Sequence, residues 1–166
     1  MELYILRHGI AAEPGSGKYA KDSDRPLTEE GRKKTKAIAK GMKKAGIAFD
    51  VILTSPFDRA EQTAKIVAKV YDAEKKLVIC NYLASGGDAG KLIHEINKNY
   101  KSLSGILIVG HEPDLTALIS VLITGDKHGS FVLKKGGLAK LTVNSLKLGQ
   151  CAELEWLVTP KQISHG

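Results

Sequence analysis

The stretch Leu3-Tyr4-Ile5-Leu6-Arg7-His8-Gly9 sets the reading of the whole chain. Four apolar residues run without alternation and then stop at an arginine, a histidine and a glycine. An unbroken apolar run of this kind predicts a strand covered on both faces, as in a parallel sheet. The polar tripeptide then falls where the strand leaves the sheet, the rim at which open α/β sheets bind ligands. Arginine brings a planar fork suited to phosphate or carboxylate, and histidine a nucleophile or proton carrier; glycine lets a ligand approach the backbone closely. Alone, the tripeptide is weak evidence, because a basic surface turn explains it more often. Two later stretches repeat its layout and give it weight.

One is Ser55-Pro56-Phe57-Asp58-Arg59-Ala60, which follows the apolar Val51-Ile52-Leu53 and Thr54; the other is Gly110-His111-Glu112-Pro113, which follows Ile106-Leu107-Ile108-Val109. Each is an apolar strand, a sharp turn, and a polar group at the turn or in the first turn of the next helix. If these strands run parallel, Arg7, His8, Arg59 and His111 converge at one edge. A transferring phosphoryl group spreads negative charge over three equatorial oxygens, which suits fixed arginine forks and a histidine donor. Nearby cations also lower the pKa of an imidazole and preserve its nucleophilic lone pair. Such a site needs no cofactor. The carboxylates do not cluster as Mg²⁺ ligands would, and two histidines without a third ligand make a poor zinc site.

Between these stretches the chain alternates strand and helix. A polar loop, Ile10 to Pro26, contains Pro14-Gly15-Ser16-Gly17-Lys18, but Ala12 and Tyr19 stand where a Walker A motif has its leading glycine and final Ser/Thr, so it reads as a flexible flap. Thr28 caps a helix whose first turn holds Glu29 and Glu30, and Gly46 can end it. Further helices follow Pro56, Asp88 and Pro113, with a third strand at Leu77 to Cys80. The tail differs: Ala139, Leu141 and Val143, then Ala152, Leu154, Trp156 and Val158, alternate with polar residues. That pattern predicts an antiparallel hairpin turning near Leu148-Gly149, with Trp156 in the core. Together these segments predict a three-layer α/β/α fold in one domain over 1–166, its central sheet mostly parallel with an antiparallel C-terminal edge hairpin.

Composition narrows the partners. At 166 residues, 43% hydrophobic and 26% charged, the chain suits an ordinary globular core. No run is long enough for a membrane span and no secretory leader is visible, so the cytoplasm is the expected compartment. Cys80 and Cys151, far apart, read as buried free thiols. The net charge of +7 predicts attraction to anions. Lys33, Lys34, Lys36, Lys40, Lys43 and Lys44 read as a solvated helix face. Aromatics are only 5% and do not interleave with the lysines, which argues against nucleic acid. His94, His128 and His165 have no neighbour in sequence that suggests chemistry, and Asp58 reads as a first-turn carboxylate.

Arg7-His8-Gly9, the block Arg25-Pro26-Leu27-Thr28-Glu29-Glu30-Gly31, the block Ser55 to Ala64 and Gly110-His111 resemble the histidine phosphatase superfamily, of phosphoglycerate mutase-like fold. Their order and spacing, and the short chain, look most like its SixA-type phosphohistidine phosphatases. The resemblance implies that His8 attacks phosphorus and carries a phosphohistidine intermediate that water then releases. Arg7, Arg59 and His111 would hold the phosphoryl oxygens. Arg25 could close the pocket, or bond carbonyls ahead of the helix as a structural arginine.

One departure bears on substrate. Many members place a glutamate general acid after the third strand, where this chain has Tyr82-Leu83-Ala84-Ser85-Gly86-Gly87 and no carboxylate before Asp88. An alkoxide leaving group needs a proton, whereas phosphohistidine can depart as neutral imidazole when its other ring nitrogen is protonated. The gap favours phosphohistidine, carried by a phosphorylated protein; a histidine-containing phosphotransfer domain would fit, and the basic surface could recruit an acidic partner. Glu112 pulls the other way. Turned into the pocket, it would be the general acid of a phosphomonoesterase acting on small molecules or phosphoserine; turned out, it is a helix N-terminal residue. From another class, the chain could be a phosphoprotein-binding module without turnover, although binding alone would not need His8.

Overall fold

The unbroken apolar runs become the inner strands of one six-stranded sheet in the computed structural model, which describes residues 1–15 and 17–165. Ser16, within the loop stretch noted above, lies outside the described residues. The strands are β1 (Glu2–Arg7), β2 (Val51–Thr54), β3 (Leu77–Ile79), β4 (Gly105–Gly110), β5 (Leu138–Val143) and β6 (Ala152–Val158). The helices are α1 (Glu29–Lys44), α2 (Asp58–Val70), α3 (Ala89–Asn99), α4 (Asp114–Thr124) and the short α5 (Pro160–Ser164). In space the strands run β3-β2-β4-β1-β5-β6. The first four are parallel neighbours, and β5 and β6 add the expected antiparallel edge hairpin beside β1.

Successive strand residues point to opposite faces, so a doubly covered sheet must bury both sets. Leu3, Ile5, Leu53, Ile106 and Ile108 pack with Leu92, Ile96, Leu115 and Ile119 of α3 and α4. Tyr4, Leu6, Ile52, Leu107 and Val109 pack with Met42, Ala64 and Val67 of α1 and α2 and with Ile163 of α5. That is the three-layer α/β/α arrangement. Register then fixes the rim: Arg7 lies opposite Gly110 and Thr54 opposite Val109, so the three polar stretches leave the sheet at one level. Slipping any of these strands by one residue would turn its core set outward, which is why the register holds.

Helix α1 begins where the sequence places it. The Thr28 hydroxyl accepts from Gly31 N, and the six lysines named above all face solvent. Gly31 also permits a close approach, since a Cβ there would lie 2.1 Å from the Ile10 carbonyl oxygen. The same oxygen accepts from Thr28 N at 3.0 Å. Helix and post-β1 chain are thereby locked together beside His8.

The C-terminal hairpin corrects one expectation. A bulge between Lys140 and Leu141 pairs Lys140 with Trp156 but Leu141 with Leu154, leaving Glu155 as the extra residue. The strand's parity reverses there. Ala152 and Leu157 pack toward α3 and α4, whereas Trp156 and Val158 pack on the other face, Trp156 against Tyr4 at 6.3 Å between ring centroids. Trp156 is half-buried rather than core, and Leu154 is exposed. Cys80 is buried and Cys151 half-buried, both as free thiols. Among the described residues no helix is long and apolar enough to cross a membrane.

Gly31→Ala tests the lock. Alanine gains about 1 kcal/mol of helix propensity, but the carbonyl it strikes is already held by Thr28. Overpacking should cost about 1–3 kcal/mol and prevail, lowering the urea midpoint, whereas Lys36→Ala should leave it unchanged.

Candidate active site

Each polar side chain at the rim is presented by the end of a parallel strand or the helix that follows. Arg7 is the last residue of β1 and His8 the next, His111 follows β4 directly, and Arg59 sits in the first turn of α2. His8, Arg59 and His111 are 6%, 4% and 2% exposed, so three polar groups share a largely dehydrated space. The His8 and His111 rings lie 5.3 Å apart between centroids. Phe57 fills the gap beside them, its ring 5.1 Å from His111 and 5.3 Å from the Arg59 guanidinium carbon.

Hydrogen bonds fix both imidazoles. His8 Nδ1 lies 2.7 Å from the Gly9 carbonyl oxygen, which can only accept, so Nδ1 carries the proton and Nε2 keeps its lone pair. Gly9 N in turn donates to Thr63 Oγ1, and a Cβ on Gly9 would lie 2.6 Å from Thr35 Oγ1, so any larger residue would force the buried Thr35 hydroxyl to move. His111 Nε2 lies 2.7 Å from Ser55 Oγ, which also accepts from Phe57 N. Among the described residues the Ser55 hydroxyl has no other acceptor, so its proton goes to Nε2 and leaves the His111 proton on Nδ1. That Nδ1 is buried and has no protein partner.

The arginines show the same pattern. Arg7 Nη1 donates to the Leu133 carbonyl at 3.0 Å, and Arg59 gives Nη1 to the Asp22 carbonyl at 2.9 Å and Nη2 to the Asp22 carboxylate at 3.0 Å. Yet Nε of both arginines is buried without a partner among the described residues. Among the described residues two Nε–H groups and one imidazole N–H are therefore unpaired, on the three residues whose charge or ring acts on His8. Buried donors of this kind are costly unless a ligand accepts from them, and three around a nucleophile suit a tetrahedral oxyanion. Burial pushes the His8 pKa down to about 3, with His111, Arg59 and Arg7 lowering it further against the upward pull of the Gly9 hydrogen bond. Burial, then Arg59, pushes His111 down to about 4. Both rings are neutral at physiological pH.

Two further residues named from sequence lie elsewhere than in the oxyanion ring. Arg25 donates to the Ala12 carbonyl at 2.5 Å and to the Asp22 carboxylate at 2.8 Å, bracing the loop over Arg59. Glu112 turns back on its own helix, where one carboxylate oxygen accepts from Thr116 N and the other from the Thr116 hydroxyl. His94, His128 and His165 are exposed and outside the cluster. Three residues of the site escaped the sequence reading: Ser55, Thr63 and Asp22. Ser55 and Thr63 stand inside a quoted block, and their one usable signal was a position beside a strand end or one turn after Arg59. Asp22 gave no signal, because a loop carboxylate can face anywhere. Among the described residues no group of three or more His, Cys, Asp or Glu is placed to hold a metal.

A three-layer sheet carrying this rim defines a phosphatase of phosphoglycerate mutase-like fold. The profile of the histidine phosphatase superfamily (branch 1) matches residues 3–80, which contain Arg7, His8 and Arg59. An uncharacterized protein of Picosynechococcus sp. is 35% identical over 97% of this chain and 98% of its own length. Phosphohistidine phosphatase SixA of Escherichia coli is 27% identical over 96% of this chain and 94% of its own length. A solved structure of the protein histidine phosphatase SixA complexed with tungstate matches with a TM-score of 0.82 at 26% identity, covering 98% of this chain and 99% of that one. The chain belongs to the histidine phosphatase superfamily and is of the SixA type.

The assigned tautomers are directly testable. In ¹⁵N–¹H long-range spectra at pH 6, His8 and His111 should both appear neutral with the proton on Nδ1; a protonated ring or an Nε2–H tautomer at either would contradict the geometry. With a neutral His8 as the reacting group, the expectation is that activity persists on acidification well below pH 6.5 and falls only as pH approaches about 4 and then about 3. The check is kcat/KM against pH after correction for substrate ionisation. Ser55→Ala, which frees the His111 tautomer, should lower kcat about tenfold, or ~1.4 kcal/mol.

Proposed function

We propose that the protein removes phosphate from phosphohistidine carried on a protein, through a phosphoryl group held transiently on His8. The supporting observation is how two carboxylates beside the rim are engaged. Glu112 has both oxygens bound by Thr116, and Asp22 is bound by Arg25 and Arg59 and held below the usual carboxylate range. For Asp22, burial pulls upward, but the hydrogen bonds from Arg25 and Arg59 outweigh it. Both Glu112 oxygens are already engaged by Thr116 and Asp22 is tied between two arginines, which favours a reaction in which the leaving group needs no proton.

Phosphohistidine meets that condition. His8 Nε2 attacks phosphorus in line, the new P–N bond forms as the old one breaks, and its electron pair returns to the substrate nitrogen. With the distal nitrogen already protonated, the substrate leaves as neutral imidazole and no proton moves. Arg7 Nε, Arg59 Nε and His111 Nδ1 would bind the three equatorial oxygens, whose charge they match in the transition state. Water then attacks the phosphoryl group on His8, the pair returns to Nε2, and both water protons stay with the phosphate. Catalysis here is orientation and fixed charge, without acid–base work.

A groove of about 970 Å³ leads from His111 between α3 and α4, lined by Leu83, Leu92, Leu115 and Leu118 and also by Asp88 and Asp114. Its size accommodates a peptide segment. Similarity to the phosphohistidine phosphatase of Escherichia coli supports the same reading.

The test is phosphate release, in EDTA, from a peptide phosphorylated on histidine and from a phosphoserine peptide. Release from the first alone is expected, with His8→Ala at least about 10³-fold slower and Glu112→Gln within about threefold of wild type. Equal release from phosphoserine, with a large loss in Glu112→Gln, would instead establish a phosphomonoesterase with Glu112 as acid. Binding of the phosphohistidine peptide without turnover would leave a recognition module.

A further inference from the structure

The loop that follows β1 is closed at its base. Ala11 and Leu27 form an isolated antiparallel bridge, Ala12 N donates to the Pro26 carbonyl, and Thr28 N donates to the Ile10 carbonyl. Above this neck a 3-10 turn, Asp22–Asp24, places Asp22 between two arginines. One carboxylate oxygen accepts from Arg25 Nε at 2.8 Å and the other from Arg59 Nη2 at 3.0 Å, while the Asp22 carbonyl accepts from Arg59 Nη1 at 2.9 Å.

The disposition of these bonds on Arg59 is informative. A guanidinium has five N–H groups, one on Nε and two on each Nη. Asp22 takes one from each Nη, along the end of the fork. The Nε–H remains, on the side of the fork that Nε shares with Nη2, the edge that binds phosphate bidentately. Arg59 Nε is buried and unpartnered, whereas the Asp22 side chain is 53% exposed, so the anchored end lies toward solvent and the unpaired edge inward. Were Asp22 only a loop tie, nothing would require it to use that end of the fork and spare the other.

We propose that Asp22 is a positioning residue for the phosphoryl site: by gripping the end of the Arg59 fork it presents the Nε/Nη2 edge to the transferring oxyanion. The proposal rests on the reading of Arg59 as an oxyanion donor. Without the carboxylate, Arg59 keeps only its bond to the Asp22 carbonyl and can swivel about it. Arg25 loses its partner as well, so the loop releases its brace on the Ala12 carbonyl. Two effects on ground-state binding then oppose each other, a lost orientation that weakens it and a lost negative charge that strengthens it. In the transition state, orientation dominates, because the oxyanion must be met at fixed positions.

The expected signature is a split between kcat and KM. With a peptide phosphorylated on histidine, Asp22→Ala should lower kcat at least tenfold and change KM less than threefold. Asp22→Glu should recover at least threefold of the lost kcat. In ¹H–¹⁵N spectra the Arg59 Nε–H resonance, assigned with Arg59→Lys, should shift on adding inorganic phosphate to wild type and broaden in Asp22→Ala. A kcat in Asp22→Ala within twofold of wild type would overturn the proposal. So would a higher kcat with tighter phosphate binding, the mark of a competing internal anion, or an Asp22→Glu no better than Asp22→Ala. Arg59→Ala separates the two levels: wild-type turnover and phosphate binding in that variant would remove the reading of Arg59 itself, whereas a strong loss there beside an innocuous Asp22→Ala would remove only the role of Asp22.

Discussion

Packing a buried Arg59, a half-buried Arg7 and two buried histidines at one rim is the constraint on which the rest of the structure depends. Four like charges in one dehydrated rim would be untenable, and the protein resolves this by keeping both imidazoles neutral. Neutrality is useful chemically as well as electrostatically, since only a neutral His8 has a lone pair to offer. The remaining positive charge is met by carbonyls and by Asp22: Leu133 on Arg7, and the carbonyl and carboxylate of Asp22 on Arg59. Those contacts stop short of saturation. Among the described residues each arginine keeps a buried Nε–H unpaired, as His111 keeps its Nδ1–H, three donors of the kind an oxyanion accepts from.

Parallel pairing supplies the geometry. Because β1, β4 and β2 run side by side in one register, whatever follows each strand is delivered to the same edge. The helices that follow start there too, and the first turns of α2 and α4 direct their positive ends toward the same space. The sheet interior contributes only rigidity, with Ile5, Ile52, Leu107 and Ile108 fully enclosed. That rigidity matters: neighbouring groups must be held to a fraction of an ångström for orientation to contribute to rate.

Much of this was legible because strand ends are legible. The unbroken runs at Leu3–Leu6, Val51–Leu53 and Ile106–Val109 carry their parallel, doubly covered character openly, and the polar residue after each run is placed by pairing alone. What could not be read depended on contacts between segments distant in sequence. The bulge at Glu155 reverses the side-chain parity of β6, and no alternation pattern announces a single inserted residue, so Trp156 changed faces unseen. Ser55 and Asp22 were hidden for a related reason. A serine before a proline and an aspartate in a polar loop are common in any turn, and their significance lies in what they touch: His111 across the rim and Arg59 on another helix. Glu112 was ambiguous in one dimension; in three, Thr116 one turn later donates to both its oxygens.

The choice between P–N and P–O substrates also turns on symmetry. When His8 takes a phosphoryl group from another histidine, the bond formed and the bond broken are of one kind, with a protonated distal nitrogen on each side. The first step is then near balance, and the rim need only lower the barrier. For an alcohol ester the same attack would make a high-energy P–N bond and release an alkoxide, so the site would have to supply both a proton and the energy difference. Arg7, Arg59 and His111 bring N–H donors suited to equatorial oxygens, and none of them brings a carboxylic acid proton. A site built from fixed donors around a neutral imidazole is thus suited to exchange between imidazoles followed by hydrolysis, the reaction that asks least of groups this site does not position.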